Sequence, residues 1–340
     1  EKGIFFDEIA QKNNEQQLRV KNFNEVLFEE GIYKLYDYWD DVSFKIQAQR
    51  DNPETASSER IAFKKYDRFL TPKINFDVPA ITKKLFLSKP KIALLREQGI
   101  NGHYDMAAAL MAAGFEVNDV HLSEVGTKIK SFDEFSGLVV PGGFSYGDVL
   151  GAGKGMAKTI LNKNKMKKIF RDFFNNPKKF SLGVCNGCQF LSGLTDIIPG
   201  STTWPSFQRN ISNQYECRLV QLKINHSPSI FLEGMADSII PVMVSHGEGR
   251  TSFDSKVRNK VLEYVDPKHQ PTSVYPFNPN GSTEAIAGVC NEDGRVMIMM
   301  PHPERTFLTK QYSWAPKEWG IESPWFKMFD NAYQFYKKNQ

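Results

Sequence analysis

The stretch SLGVCNGCQFLSG, Ser181 to Gly193, holds the residues best suited to chemistry. Two cysteines in a C-x-x-C can form a redox pair or half of a zinc site, and either can pack as a small apolar residue. The glycines offer a fourth reading. Gly183 and Gly187 flank Cys185 at −2 and +2, the spacing of a nucleophile elbow with sulfur in place of the usual hydroxyl. Such an elbow strains its central residue, and side chains at the flanking positions would collide with it or with the next strand. A helix opening at Asn186 adds partial positive charge beside the sulfur, which favours a thiolate. The redox reading suits the sequence less well, because a thioredoxin-like chain carries its C-x-x-C early. Zinc needs a second close pair, and Cys217 and Cys290 stand alone. Cys188 reads as a packed apolar residue on the helix.

A nucleophilic cysteine needs a base, and the base needs an orienting group. Of the six histidines, His302 has the most telling context, MMPHPER. It follows an apolar strand, Glu304 lies two residues on, and Pro301 and Pro303 suppress helix between them. Acyl transfer also needs oxyanion donors. VVPGGFSYGD (139–148) ends a strand in a glycine turn, where the N–H groups of Gly143 and Phe144 can point inward beside that of Asn186. Taken alone, Pro-Gly-Gly is usually only a turn. GDVLGAGKG is spaced one residue too long for a phosphate loop and has Gly155 where Ser or Thr should bind magnesium. VSHGEGR (244–250) reads either as a solvated turn or as a loop that grips an amino acid.

These groups need a scaffold that brings positions far apart in the chain together. From Lys91 onward the sequence alternates strand and helix: KIALLRE, then HYDMAAALMAAGF closed by Gly114, then EVNDVHL, FSGLVVPGG, FSLGVC and NGCQFLSGL. AIAGVCNEDG and RVMIMMP read as a hairpin, and Pro324–Lys338 as a last helix. The alternation predicts an α/β fold with a largely parallel sheet covered by helices on both faces. Residues 1–88 differ, being polar and poor in glycine. Helices are expected over Phe23–Tyr38, weakened by Gly31, and over Asp40–Arg50, ending at Asp-Asn-Pro, with a loose stretch up to Lys89-Pro90. This part is expected to form a mostly helical extension.

The 340 residues suffice for about two domains. Hydrophobic residues at 41% and charged residues at 24% describe an ordinary globular chain. A net charge of +4 is too weak to argue for nucleic acid, and the basic run KNKMKKIFRDFFNNPKK reads as a solvated helix face. No apolar run reaches the roughly 18 residues of a membrane span. Four cysteines make no disulfide framework, and with no export signal the expected compartment is the cytoplasm. The chain opens on Glu1 rather than Met, which reads as a fragment or processed piece.

Taken together, GVCNGCQ, PGGFSYGD, SHGEGR and PHPER resemble the triad (class I) glutamine amidotransferase family, specifically the glutaminase domain of phosphoribosylformylglycinamidine synthase. The resemblance spans about residues 89–340, and YDYWDDVSFKIQAQRDNPETASSE (36–59) resembles the tail of the synthetase portion in the large fused form. It implies a division into 1–88, synthetase tail and linker, and 89–340, glutaminase. It also implies roles. Cys185 attacks the side-chain amide of L-glutamine, His302 moves the proton, and Glu304 orients the imidazole. Gly143, Phe144 and Asn186 hold the oxyanion, while Gln189, Ser245, His246, Gly247 and Glu248 hold the amino-acid end. No metal or cofactor is implied in this chain. ATP and magnesium belong to synthetase domains that it lacks, and those domains are the implied partner that receives the ammonia. Nucleic acid and membrane are not implied partners. Rival readings are another triad glutaminase, such as one for CTP or GMP synthesis, an α/β cysteine hydrolase, and a module whose site idles without its synthetase.

Overall fold

The computed structural model describes residues 9–81, 89–253 and 256–339. The chain divides into two compact units, Glu1–Asp67 and Arg68–Gln340. Composition changes instead near Lys89, and the part of the loose stretch at 82–88 lies outside the described residues.

The first unit is a hairpin followed by two helices. Strands β1 (Gln17–Asn22) and β2 (Glu25–Gly31) pair antiparallel, and helices α1 (Ile32–Arg50) and α2 (Pro53–Lys65) follow. The helix expected over Phe23–Tyr38 is therefore a strand in its first half. Val20 faces Phe28 across the pair, and Phe23 turns the chain at φ 53°. Gly31, extended at φ −67° and ψ 137°, marks the switch to helix. From there α1 runs unbroken through the gap between the two expected helices. Asn52 ends the interruption at Asp-Asn-Pro: its side chain accepts the Glu54 N–H at 2.9 Å, and Pro53 opens α2 at a position that needs no donor. The helices join through stacked Tyr36 and Phe63 rings, centroids 3.8 Å apart.

The second unit is built on a nine-stranded sheet. Its chain order is β3 (Lys91–Arg96), α3 (His103–Ala112), β4 (Glu116–His121), β5 (Phe135–Val140), α4 (Lys154–Leu161), α5 (Asn164–Asn175), β6 (Phe180–Val184) and α6 (Asn186–Ser192). There follow β7 (Ser206–Gln208), β8 (Glu216–Ile224), β9 (Ile239–His246), β10 (Arg250–Ser252), β11 (Lys260–Val265), β12 (Ile286–Cys290), β13 (Val296–Met299) and α7 (Phe326–Lys338). Spatial order is β4-β3-β5-β6-β13-β12-β11-β8-β9, with β7 and β10 forming a separate pair. The fold is α/β, as the alternation predicts. The sheet is mixed rather than largely parallel: β4 through β13 run parallel, while β13-β12-β11-β8-β9 run antiparallel. The reason is local. Among the described residues no α-helix lies between β7 and β13, and strands joined without a crossover helix pair as antiparallel neighbours.

Strands β3, β5, β6 and β13 are apolar nearly throughout and buried, as strands covered on both faces must be. Helix α5 turns Met166, Ile169, Phe170, Phe173 and Phe174 inward and its lysines outward, as the basic run predicted. Helix α7 begins at Phe326 and buries Phe329 and Tyr333. The 68–81 segment belongs with this unit. Lys73 and Ile239 exchange backbone hydrogen bonds of 3.0 and 2.8 Å, a single antiparallel bridge onto the edge strand β9. No helix among the described residues is long and apolar enough to cross a membrane.

Candidate active site

Cys185 sits where β6 gives way to α6, at φ 54° and ψ −109°. Few residues with a Cβ adopt this backbone, and it persists because the surroundings leave no alternative. The Cys185 N–H donates to the Met299 carbonyl at 2.9 Å, pinning the turn to β13. A Cβ on Gly183 would stand 2.5 Å from the Gly187 carbonyl oxygen, and one on Gly187 would collide with the Val140 carbonyl of β5. The glycine spacing thus lets strand, turn and helix close on one another. Cys185 is only 6% exposed, and its thiol donates to the Ser245 carbonyl at 3.6 Å. Cys188 is buried in the core, where loss of water pushes its thiol well up, and both thiols are free.

His302 follows β13, and its N–H donates to the Met243 carbonyl at 2.8 Å. Its Nδ1 lies 2.6 Å from Glu304 Oε1, with both side chains buried. The pair meets through a short helical turn over Pro303–Arg305 rather than along an extended segment. Burial alone pulls the imidazole down, but Glu304 and then Cys185 outweigh it and raise it to about 10. Glu304 thereby favours the imidazolium, and Nε2 is buried with no hydrogen-bond partner among the described residues. Gly142 shows how close the site is packed. A Cβ there would stand 2.7 Å from His302 Cε1 and 3.3 Å from Cys185 Cβ, so the sulfur-bearing and imidazole side chains are neighbours.

The 141–148 turn needs one correction. The Phe144 N–H donates to the Gly99 carbonyl at 2.8 Å, so Phe144 offers no backbone donor to an oxyanion. Gly143 has no such acceptor among the described residues, and Asn186 opens α6, where the first N–H groups lack intrahelical partners. The Asn186 side chain ties turn to elbow. Its Oδ1 accepts from Ser145 Oγ at 2.7 Å, and its Nδ2 donates to Asp148 Oδ1 at 2.9 Å.

The VSHGEGR strip closes the far side. Strand β9 ends at His246, and Asn210 clamps the turn that follows: its side chain donates to the His246 carbonyl at 2.7 Å and accepts the Gly249 N–H at 2.8 Å. Gln189 Nε2 donates to the Glu248 carbonyl at 2.5 Å, and Glu248 Oε2 accepts the Ala152 N–H at 3.1 Å. Ser245 Oγ pairs with the Tyr215 hydroxyl at 2.7 Å. A cavity of about 450 Å³ results, lined by Cys185, His302, Gly143, Gln189 and Ser245 through Glu248. Glu304 and Asn186 stand behind its wall.

Asp148, Tyr215 and Arg305 also line it and carry no role in the sequence reading. Asp148 and Arg305 lie inside the motifs PGGFSYGD and PHPER, so their positions were legible though their function was not. Tyr215 lies in no motif. Burial, and then the nearby Glu248 carboxylate, raise Asp148 to about 6 against the Asn186 hydrogen bond that lowers it.

Residues 89–336 match the family of CobB/CobQ-like glutamine amidotransferase domains. The chain is similar to the solved structure of PurLQS from Thermotoga maritima, at 27% identity and a TM-score of 0.55, over 74% of this chain and 99% of that one. A putative GMP synthase subunit from Thermoplasma acidophilum is 14% identical with a TM-score of 0.45, over 74% of this chain and 96% of its own, too distant to bear on function.

Proposed function

The chain belongs to the CobB/CobQ-like glutamine amidotransferase domain family, and from that premise we propose that it is the glutaminase of a phosphoribosylformylglycinamidine synthase. It would release ammonia from L-glutamine for the ATP-dependent amidation of formylglycinamide ribonucleotide in purine biosynthesis. The likeness to PurLQS supports the choice among amidotransferases. The receiving synthetase domains, with their ATP and magnesium, are the proposed partner, and residues 1–88 are the proposed tail and linker that connect to them.

The proposed chemistry is acyl transfer. The Cys185 thiol proton passes to His302 Nε2, and the sulfur attacks the side-chain amide carbon of glutamine. The N–H groups of Gly143 and Asn186 receive the oxyanion. Collapse breaks the C–N bond, and His302 returns its proton to the departing ammonia. Water, deprotonated by His302, then hydrolyses the glutamyl thioester to glutamate. Gln189, Ser245, Gly247 and Glu248 shape the amino-acid end of the cavity, with Asp148 offering a second carboxylate toward an ammonium group. Loss of one oxyanion donor typically costs about 3 kcal/mol of barrier.

The observation that carries the reading is a cysteine on a left-handed elbow next to a buried His302–Glu304 pair, all at one cavity. Incubation with a glutamine-mimicking electrophile, followed by mass mapping, tests it. A single adduct at Cys185, absent in Cys185→Ala and slowed by competing glutamine, is expected. No adduct even with a synthetase partner restored would point to an idle module and end the proposal. Equal labelling by unrelated amides or peptides would favour a general cysteine hydrolase.

A further inference from the structure

Asn280 lies outside the four motifs of the site, yet its side chain meets a ring nitrogen of a cavity residue. Its Nδ2 lies 3.1 Å from His246 Nε2 and 3.1 Å from the Tyr264 hydroxyl. Its Oδ1 accepts the Ser282 N–H at 3.0 Å, a donor shared with Asn278. Turning the amide over would set its NH₂ against that N–H, so the oxygen faces Ser282 and the NH₂ faces the ring. His246 Nε2 must then accept, and the single proton of a neutral imidazole goes to Nδ1.

That proton has no acceptor among the described residues. Nδ1 is buried and unpartnered, in a side chain 3% exposed. The opposite ring edge, Cδ2 and Nε2, packs on Gly249, where a side chain would not fit. His246 lines the same cavity as Cys185 and His302. An orphaned buried donor is unfavourable unless a ligand completes it. The two imidazoles of the cavity thus have opposite partners: His302 faces a carboxylate and His246 an amide NH₂. Burial and the nearby His302 hold His246 down to about 3, while His302 is raised. Environments that push two like groups apart assign them different tasks.

We infer that Asn280 is a positioning residue that locks His246 as the neutral Nδ1–H tautomer, so that its ring donates a hydrogen bond to an acceptor oxygen of the bound amide substrate while His302 carries the moving proton. The role of the donor rests on the glutaminase reading; the tautomer does not. A neutral ring also avoids a second cation beside the His302 imidazolium.

Two measurements on the full chain test this. Long-range proton–nitrogen NMR of protein carrying isotopically labelled histidine reads the His246 tautomer directly, with a His246→Gln sample for assignment. A neutral ring protonated at Nδ1 near pH 7 is expected, while an Nε2–H or doubly protonated ring overturns the inference. The second measurement uses Asn280→Asp, which keeps the shape but turns a donor into an acceptor. Concentration-dependent labelling of Cys185 by the glutamine-mimicking electrophile should show the half-saturating concentration raised about tenfold, the effect of one lost hydrogen bond. The limiting rate should stay within about threefold. An unchanged half-saturating concentration refutes the positioning role. If Asn280→Asp fails to fold, the wild-type tautomer still decides. Should Cys185 resist the electrophile in the wild-type chain while His246 shows the Nδ1–H form, the glutaminase reading fails and the tautomer assignment survives.

Discussion

At the scale of single residues, the candidate site is marked by opposing shifts in charge preference. Glu304 makes His302 a willing cation, and its carboxylate is the residue whose loss should cost most after Cys185 itself. Glu304→Gln keeps the shape and removes the charge. Cys185 labelling should slow by about 10²-fold or more, within the range for disabling general acid–base catalysis, while circular dichroism stays native. A rate within threefold of wild type would show that Glu304 does not act through His302. Asp148 shows the reverse sign. Its folded pKa of about 6 lies above the ordinary 3.8, so its ionised form weighs against the fold. Both states are protonated well below 3.8, and the penalty is full once pH exceeds the folded value. Asp148→Asn can still accept from Asn186, so it should raise the melting temperature at mildly alkaline pH. The gain should shrink as pH falls through 6; thermal melts across pH would reveal a flat difference if the carboxylate is not strained.

At the scale of elements, the candidate catalytic groups sit on ends rather than in loops of their own. Cys185 is the joint of β6 and α6, His302 follows β13, and β6 and β13 are parallel neighbours with Met299 level with Val184. That register brings positions over a hundred residues apart together. Gly142, just past β5, is the space between them. Gly142→Ala should push the imidazole aside with a stability loss of about 1–3 kcal/mol for overpacking. Labelling of Cys185 should fall far more than that loss in folded population explains. Comparing denaturant midpoints with labelling rates separates the two, and parallel losses would mean that Gly142 matters only for folding.

At the scale of the whole molecule, the amidotransferase unit, Arg68–Gln340, extends upstream of the family match at residues 89–336. Residues 68–81 add Lys73 to the β9 edge, and Asn75 Nδ2 donates to the Ala236 carbonyl at 2.6 Å. An uncovered edge strand is also a site for aggregation. A chain starting at Arg68 should therefore be more stable than one starting at Lys89 by about 3 kcal/mol, counting about 1 kcal/mol for each of the two Lys73–Ile239 bonds and the Asn75–Ala236 bond. Urea titration of the two, alongside the full chain, measures this; equal midpoints would mean that the added segment contributes nothing.

Much of the site was legible because its chemistry demands particular residue types at short spacing. The glycines at ±2 of Cys185 follow from the elbow's sterics, and Pro-His-Pro-Glu follows from a pair that must meet within two residues. Alternating strand and helix likewise fixed the α/β class, since local periodicity reports local structure. The antiparallel half of the sheet was less legible, because β8, β9 and β11 are paired by hairpins and loops whose partners the local pattern does not name. Phe144 looked like a donor until its N–H met Gly99 from another loop, and Phe23–Gly31 looked helical until β1 offered a partner. Asn280, Tyr215 and the proton on His246 depend wholly on contacts between distant segments. The sequence by itself determined which groups could react; only the tertiary structure decided where their hydrogen bonds go, because a hydrogen bond is settled by which atoms meet in space and not by which are neighbours in the chain.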